Sequence, residues 1–149
     1  MPSTDEQEGQ GARAADDVAA YAKTESEPLC CAYRGYTFLS SSPPSCGGTA
    51  LCEILQVLEG YDLHAAGFNS ARTVHLMTEA MRHAFLDRNT YLGDPAFVSN
   101  PLDWLLSPTH TAAIRSSIGD KATPSAELHP GTAPHEKPET THYSVIDNK

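Results

Sequence analysis

Apolar side chains gather in the middle of this chain and leave both ends polar. Residues 1–15 carry no hydrophobic period and are expected to be a disordered tail, and Asp16–Tyr21 (DDVAAY) suits a short helix capped by Asp16 or Asp17. PLCCAYRGYTFLSSS sets Tyr33, Tyr36, Phe38 and Leu39 close together, which predicts one or two short strands with a turn or bulge at Arg34-Gly35. SSPPSCGG must break regular structure. Beyond it Leu51, Ile54, Leu55 and Leu58 recur with helical spacing up to Gly60, a candidate C-terminal cap.

A longer helix is predicted from Ser70, its cap, to Asn89, with Val74, Met77, Met81 and Phe85 as the apolar side. Asn100-Pro101 and Ser107-Pro108 each place a capping side chain before a proline, so two further helices are expected there, the last ending at Gly119. Residues 120–139 hold four prolines and few apolar side chains, and read as a functional or mobile loop. Thr-His-Tyr-Ser-Val-Ile then alternates as a strand does. There is no internal repeat.

Composition narrows the function classes. The 149 residues are 40% hydrophobic and 19% charged, ordinary globular usage, which fits one domain or one piece of a larger one. A formal net charge of −9 argues against nucleic acid and anionic membrane surfaces as partners. No apolar run approaches a membrane span, and the N-terminus lacks the pattern of a signal peptide, so the chain as written is expected to be cytoplasmic. Cys30, Cys31, Cys46 and Cys52 form no Cys-x-x-Cys pair, and the expectation is buried or incidental thiols rather than a disulfide or a metal site.

Four places invite a chemical reading. His75, Glu79 and His83 share one helical face, yet Arg82 and Arg88 offer Glu79 simpler partners, so hydrogen bonding is expected over metal ligation. Asp87, Arg88 and Asp94 read as structural pins at a helix end and turn. Ser41–Gly48 is able to cradle an anion at a helix start, although turn geometry explains it equally well. Thr140 is the sharpest candidate: a threonine hydroxyl needs a base, and backbone cleavage can free the residue's own α-amine for that task.

From about Asp16 to Lys149 the sequence resembles γ-glutamyltranspeptidase, also called glutathione hydrolase. The resemblance is carried by YRGY, SSPPSCGGTALCEILQVLEGY, EAMRHAFLDRNTYLGDPAFV, NPLDWLL and TTHYSV, in which Thr140, Thr141, His142, Tyr143 and Ser144 fill the family's nucleophile motif. It implies an α+β chain, a partial N-terminal-nucleophile hydrolase (αββα) fold that is mostly helical with a few strands. Residues 16–139 would be the C-terminal part of a large subunit and 140–149 the start of a small one. Self-cleavage would fall between Glu139 and Thr140, and Thr140 would act as nucleophile with its freed α-amine as base.

The implied substrates are glutathione and other γ-glutamyl compounds, with acceptor amino acids or dipeptides. The implied partner is the remainder of the precursor or small subunit, and no metal or organic cofactor is implied. Cys46 stands where the family often has serine. The oxyanion donors and substrate anchors of the family are not in this stretch, so the chain is expected to be an inactive fragment of an incomplete reading frame, whose apolar faces await missing sheets. Full-length relatives are commonly periplasmic or secreted. Two other readings are a non-catalytic module that pairs with a separately encoded remainder, and an acylase of the same fold.

Overall fold

The structure, a computed structural model, describes residues 21–23 and 25–133. Strands β1 (Leu29–Tyr33) and β2 (Tyr36–Ser40) pair antiparallel, with Tyr33 opposite Tyr36 and Leu29 opposite Ser40. Arg34 and Gly35 make the turn at φ 49° and 85°, positive at both positions as a two-residue hairpin requires. Glycine adopts this freely, but Arg34 has to be held. Its N–H donates to Glu59, its guanidinium donates to the Tyr61 carbonyl at 2.7 Å, and it lies 5.1 Å from the Tyr33 ring centroid.

Among the described residues five helices follow: α1 (Gly47–Glu59), α2 (Leu63–Ala66), α3 (Ala71–Tyr91), α4 (Leu102–Leu105) and α5 (Pro108–Ser117), then a 3-10 turn at Ser125–Glu127. Helix α1 is the hub, touching β1, β2, α3, α4 and α5. Val57 and Leu58 of α1 meet Leu76 and Ala80 of α3 and the pair Ile114 and Ile118, with Tyr33, Ile54, Tyr61 and Leu63 around them. The expected caps hold at two helices. The Ser70 hydroxyl accepts from the Thr73 N–H, and the Ser107 hydroxyl accepts from the His110 N–H behind a proline at the first helical position.

Several expectations need correction. Val74, Met77, Met81 and Phe85 face outward, each 44–49% exposed, and the buried side of α3 is Leu76, Glu79, Ala80, His83, Ala84 and Asp87. Ala80 joins Val57 and Leu58 of α1 in the core, and the polar members of that face meet Arg82, Ser117 and His110. On α1 the buried face likewise turns toward Cys52, Glu53, Val57 and Leu58, leaving Leu51 exposed. Asn100 caps no helix; its amide exchanges two hydrogen bonds with the backbone of Gly93. The cysteines are not all free thiols, because packing of β1 on α1 brings Cys31 and Cys52 within 5.8 Å (Cα–Cα) and they form a disulfide. Cys30, on the opposite face of the strand, stays exposed, and Cys46 is half-buried.

The first part of the expected loop, 120–133, is pinned to α3. Thr123 N–H donates to Glu79, Arg72 pairs with Asp120 at 2.9 Å, and the Tyr91 hydroxyl donates to the Gly131 carbonyl. The expected helix at Asp16–Tyr21 lies outside the described residues except for Tyr21, which is in no element, and the expected strand after Thr140 lies outside them entirely. No helix among the described residues is long and apolar enough to cross a membrane.

Candidate functional site

Glu139, Thr140 and the rest of the TTHYSV stretch lie outside the described residues. The described part assembles a different group of chemical side chains. One residue comes from each of three helices: Glu53 of α1, Asp87 of α3 and His110 of α5. They are 1%, 2% and 5% exposed, respectively. His110 Nε2 lies 2.6 Å from Asp87 Oδ2 and 3.6 Å from Glu53 Oε1. The first distance is that of a charge-assisted hydrogen bond, and the second lies just beyond ordinary hydrogen-bond reach.

Helix geometry explains the convergence. Glu53 precedes Val57 by one turn on the buried face of α1, and Asp87 continues the buried row Ala80, His83, Ala84 on α3. His110 sits in the first turn of α5, fixed by the Ser107 cap. Its ring packs against Trp104 with centroids 4.1 Å apart, and Trp104 meets Tyr91 edge-on at 5.3 Å. A side chain at Gly131 would put its Cβ 2.7 Å from His110 Cε1 and 3.0 Å from Trp104, so only glycine lets this strand of loop cross the cluster.

The electrostatics are those of buried, unequal charges. Burial pushes Glu53 up, and with Asp87 adding to that push against the pull of His110 its carboxyl reaches about 7. Burial disfavours the His110 imidazolium, but Asp87 and Glu53 outweigh it and raise the group to about 9. Among the described residues, the buried side-chain oxygens without a hydrogen-bond partner are Thr49 Oγ1, Glu53 Oε1, Gln56 Oε1 and Asp87 Oδ1. Two belong to this cluster, and Thr49 lies one helical turn before Glu53 on the same face. The arrangement can hold a proton or a cation. It offers no exposed nucleophile.

His75, Glu79 and His83 on α3 are engaged in hydrogen bonds and an ion pair, as expected, and do not converge on one point. His75 Nε2 lies 2.8 Å from the Gly119 carbonyl, Glu79 pairs with Arg82 at 2.6 Å, and His83 lies 3.3 Å from the Ser117 hydroxyl. Arg88 bonds Asn89, and Asp94 accepts from the Ala96 N–H, so both act as local pins. Asp87 is also a pin, but through His110 and Glu53, whose role no local spacing in the sequence marks. One signal was present: Glu53 is a charge inside the apolar run LCEILQVL. The Ser41–Gly48 loop is explained by packing, since a Cβ at Gly48 would lie 2.3 Å from the Ser41 carbonyl oxygen.

Residues 3–149 match the family described as Gamma-glutamyltranspeptidase. A glutathione hydrolase proenzyme of Pseudomonas sp. (strain A14) is 51% identical over 132 residues, covering 88% of this chain and 23% of that protein. The acylase ACY 1 proenzyme of Pseudomonas sp. (strain V22) is 37% identical over 131 residues, again 88% of this chain and 23% of that protein. The crystal structure of Helicobacter pylori gamma-glutamyltranspeptidase superimposes with a TM-score of 0.77 at 42% identity, over 82% of this chain and 36% of that one. The chain thus spans about a quarter of the length of these curated relatives.

Proposed function

The chain belongs to the gamma-glutamyltranspeptidase family, and on that premise we propose that it carries the nucleophile-bearing junction of a γ-glutamyl-transferring precursor. Residues 16–139 correspond to the end of the large subunit and 140–149 to the start of the small one, in an αββα N-terminal-nucleophile fold. Cleavage of the Glu139–Thr140 bond frees the Thr140 α-amine. That amine takes the proton of the Thr140 hydroxyl as the oxygen attacks the carbonyl carbon of a γ-glutamyl amide. The α-ammonium then gives this proton to the amide nitrogen as the C–N bond breaks and the amine departs, and the γ-glutamyl group of the resulting threonine ester passes to water or to an acceptor amine.

The observation that carries this reading is the run Thr140-Thr141-His142-Tyr143-Ser144 within a sequence that matches the family from residue 3 to 149. Identities of 51% and 44% to two glutathione hydrolase proenzymes exceed the 37% to the acylase and support a γ-glutamyl group, while other glutathione hydrolases match at 31–33%. On this reading the hydrogen-bond donors that stabilise the tetrahedral intermediate come from the remainder of the precursor, and the chain alone is expected to show no turnover. The outward stripe Val74, Met77, Met81 and Phe85 supports docking onto that remainder. The Cys31–Cys52 disulfide supports an oxidising compartment rather than the reducing cytoplasm expected from the sequence.

The test is a segment exchange. Residues 16–149 replace the corresponding segment of the strain A14 proenzyme, and hydrolysis of γ-glutamyl-p-nitroanilide is measured with and without Thr140→Ala. Activity that disappears with Thr140→Ala supports the reading. Activity that survives the change overturns it.

A further inference from the structure

We propose that Glu53, Asp87 and His110 form a structural zinc site. Their three candidate ligand atoms come from three helices and all lie within 4.8 Å of one another. Two carboxylates and one imidazole are a suitable set for a borderline-soft divalent ion, whereas calcium and magnesium favour all-oxygen surroundings. This inference is independent of the Thr140 chemistry.

Charge balance points the same way. Among the described residues, no ion pair brings a lysine or arginine to Glu53 or Asp87; His110 is their only cationic partner. Buried carboxylates need pairing or a metal. A hydrogen bond from His110 serves Asp87 Oδ2 and leaves Asp87 Oδ1 and Glu53 Oε1 without partners, and the hydroxyl of Thr49, 1% exposed and one turn before Glu53, is also without one. A cation at the centre would satisfy several of these oxygens together.

The two separations from His110 lie within about 0.7 Å of what a tetrahedral site asks. Zinc–ligand bonds of about 2.0–2.2 Å set tetrahedral ligands roughly 3.3 Å apart. Glu53 Oε1 already lies 3.6 Å from His110 Nε2, and Asp87 Oδ2, at 2.6 Å, has to move outward by about 0.7 Å. Binding displaces the Nε2 proton to solvent, and a fourth position remains for the Thr49 hydroxyl or a water. Such an ion would tie α1, α3 and α5 together beneath the Trp104 ring.

The test uses the untagged chain, stripped with chelator, loaded with Zn2+ and dialysed against metal-free buffer. Elemental analysis should find about one zinc per chain, and the melting temperature should rise by roughly 5–10 °C at a hundredfold excess over Kd. Glu53→Gln and Asp87→Asn should each weaken binding at least about 100-fold, and Glu59→Gln should not. No retained zinc would overturn the proposal and leave the cluster a proton-sharing network. Zinc kept equally by Glu53→Gln and Asp87→Asn would overturn it too, placing the metal on surface groups such as Cys30 or His75. Should both variants fail to fold, Co2+ in the wild-type chain decides. Tetrahedral nitrogen–oxygen d–d bands support the site, and a thiolate charge-transfer band contradicts it.

Discussion

The side chain of Arg115 fills the space that a Cβ on Gly60 would need, with Nε only 2.0 Å from that position. Arg115 reaches over Gly60 to the end of α1, where Nε donates to the Val57 carbonyl at 3.0 Å and Nη2 to the Gln56 carbonyl at 2.8 Å. The guanidinium therefore satisfies two terminal carbonyls of the hub helix. Gly60 itself has φ −76°, a conformation open to any residue, so space rather than backbone freedom requires glycine here.

Gly60→Ala should expel the guanidinium and cost roughly 1–3 kcal/mol, as should Arg115→Ala. The double variant should cost little more than Arg115→Ala alone, because the methyl group then has room. A urea-denaturation double-mutant cycle checks this, and additive losses would refute the relationship.

The two adjacent glycines at the start of α1 should behave oppositely. Gly48→Ala drives a methyl group into the Ser41 backbone and should cost roughly 2–3 kcal/mol. At Gly47 the nearest atom to an added Cβ is 4.0 Å away, so Gly47→Ala should be neutral or stabilise by about 0.4–1 kcal/mol. Thermal melts of the two variants separate a packing role from an anion cradle, which would make both changes harmful to binding rather than to stability.

Glu79 should make the fold acid-sensitive. Burial alone would raise its carboxyl, but Arg82 and Thr123 outweigh it and hold the group below the usual range. A folded-state value below the unfolded one stabilises at neutral pH, and this contribution is lost as pH falls below about 4.5. Glu79→Gln should lower stability by roughly 1–3 kcal/mol at pH 7 and release the Thr123 amide to hydrogen exchange. The wild-type and variant stability curves should converge in acid; a constant gap from pH 7 to pH 3 would contradict this.

Reduction should loosen the hairpin from α1. Cys31 and Cys52 are 21 residues apart, so losing their bond should cost about 3 kcal/mol. Thiol titration of the unfolded, unreduced chain should find Cys30 and Cys46 reactive, and reduction should add Cys31 and Cys52.

Much of the local structure was legible in the sequence because it depends on neighbours in the chain. Arg34-Gly35 announced its turn, Ser70 and Ser107 their caps, and Glu79 its arginine. What depends on distant packing was not. The buried side of α3 carries the small Ala80 and Ala84, and Ala80 joins Val57 and Leu58 of α1 in the core, so hydrophobicity alone selected the wrong stripe. Asn100 looked like a cap but is used against Gly93, and Cys31 finds Cys52 only once β1 lies on α1. The Glu53–Asp87–His110 cluster unites three helices, and no local spacing encodes it. The Thr140 motif was the reverse case, readable from the sequence and lying outside the described residues.

The most direct measurement is intact mass with N-terminal sequencing of the segment-exchange precursor after incubation. The account predicts two subunits, the smaller beginning at Thr140, and a single uncut species for Thr140→Ala. A mature terminus at any other residue, or cleavage that persists in Thr140→Ala, would contradict it.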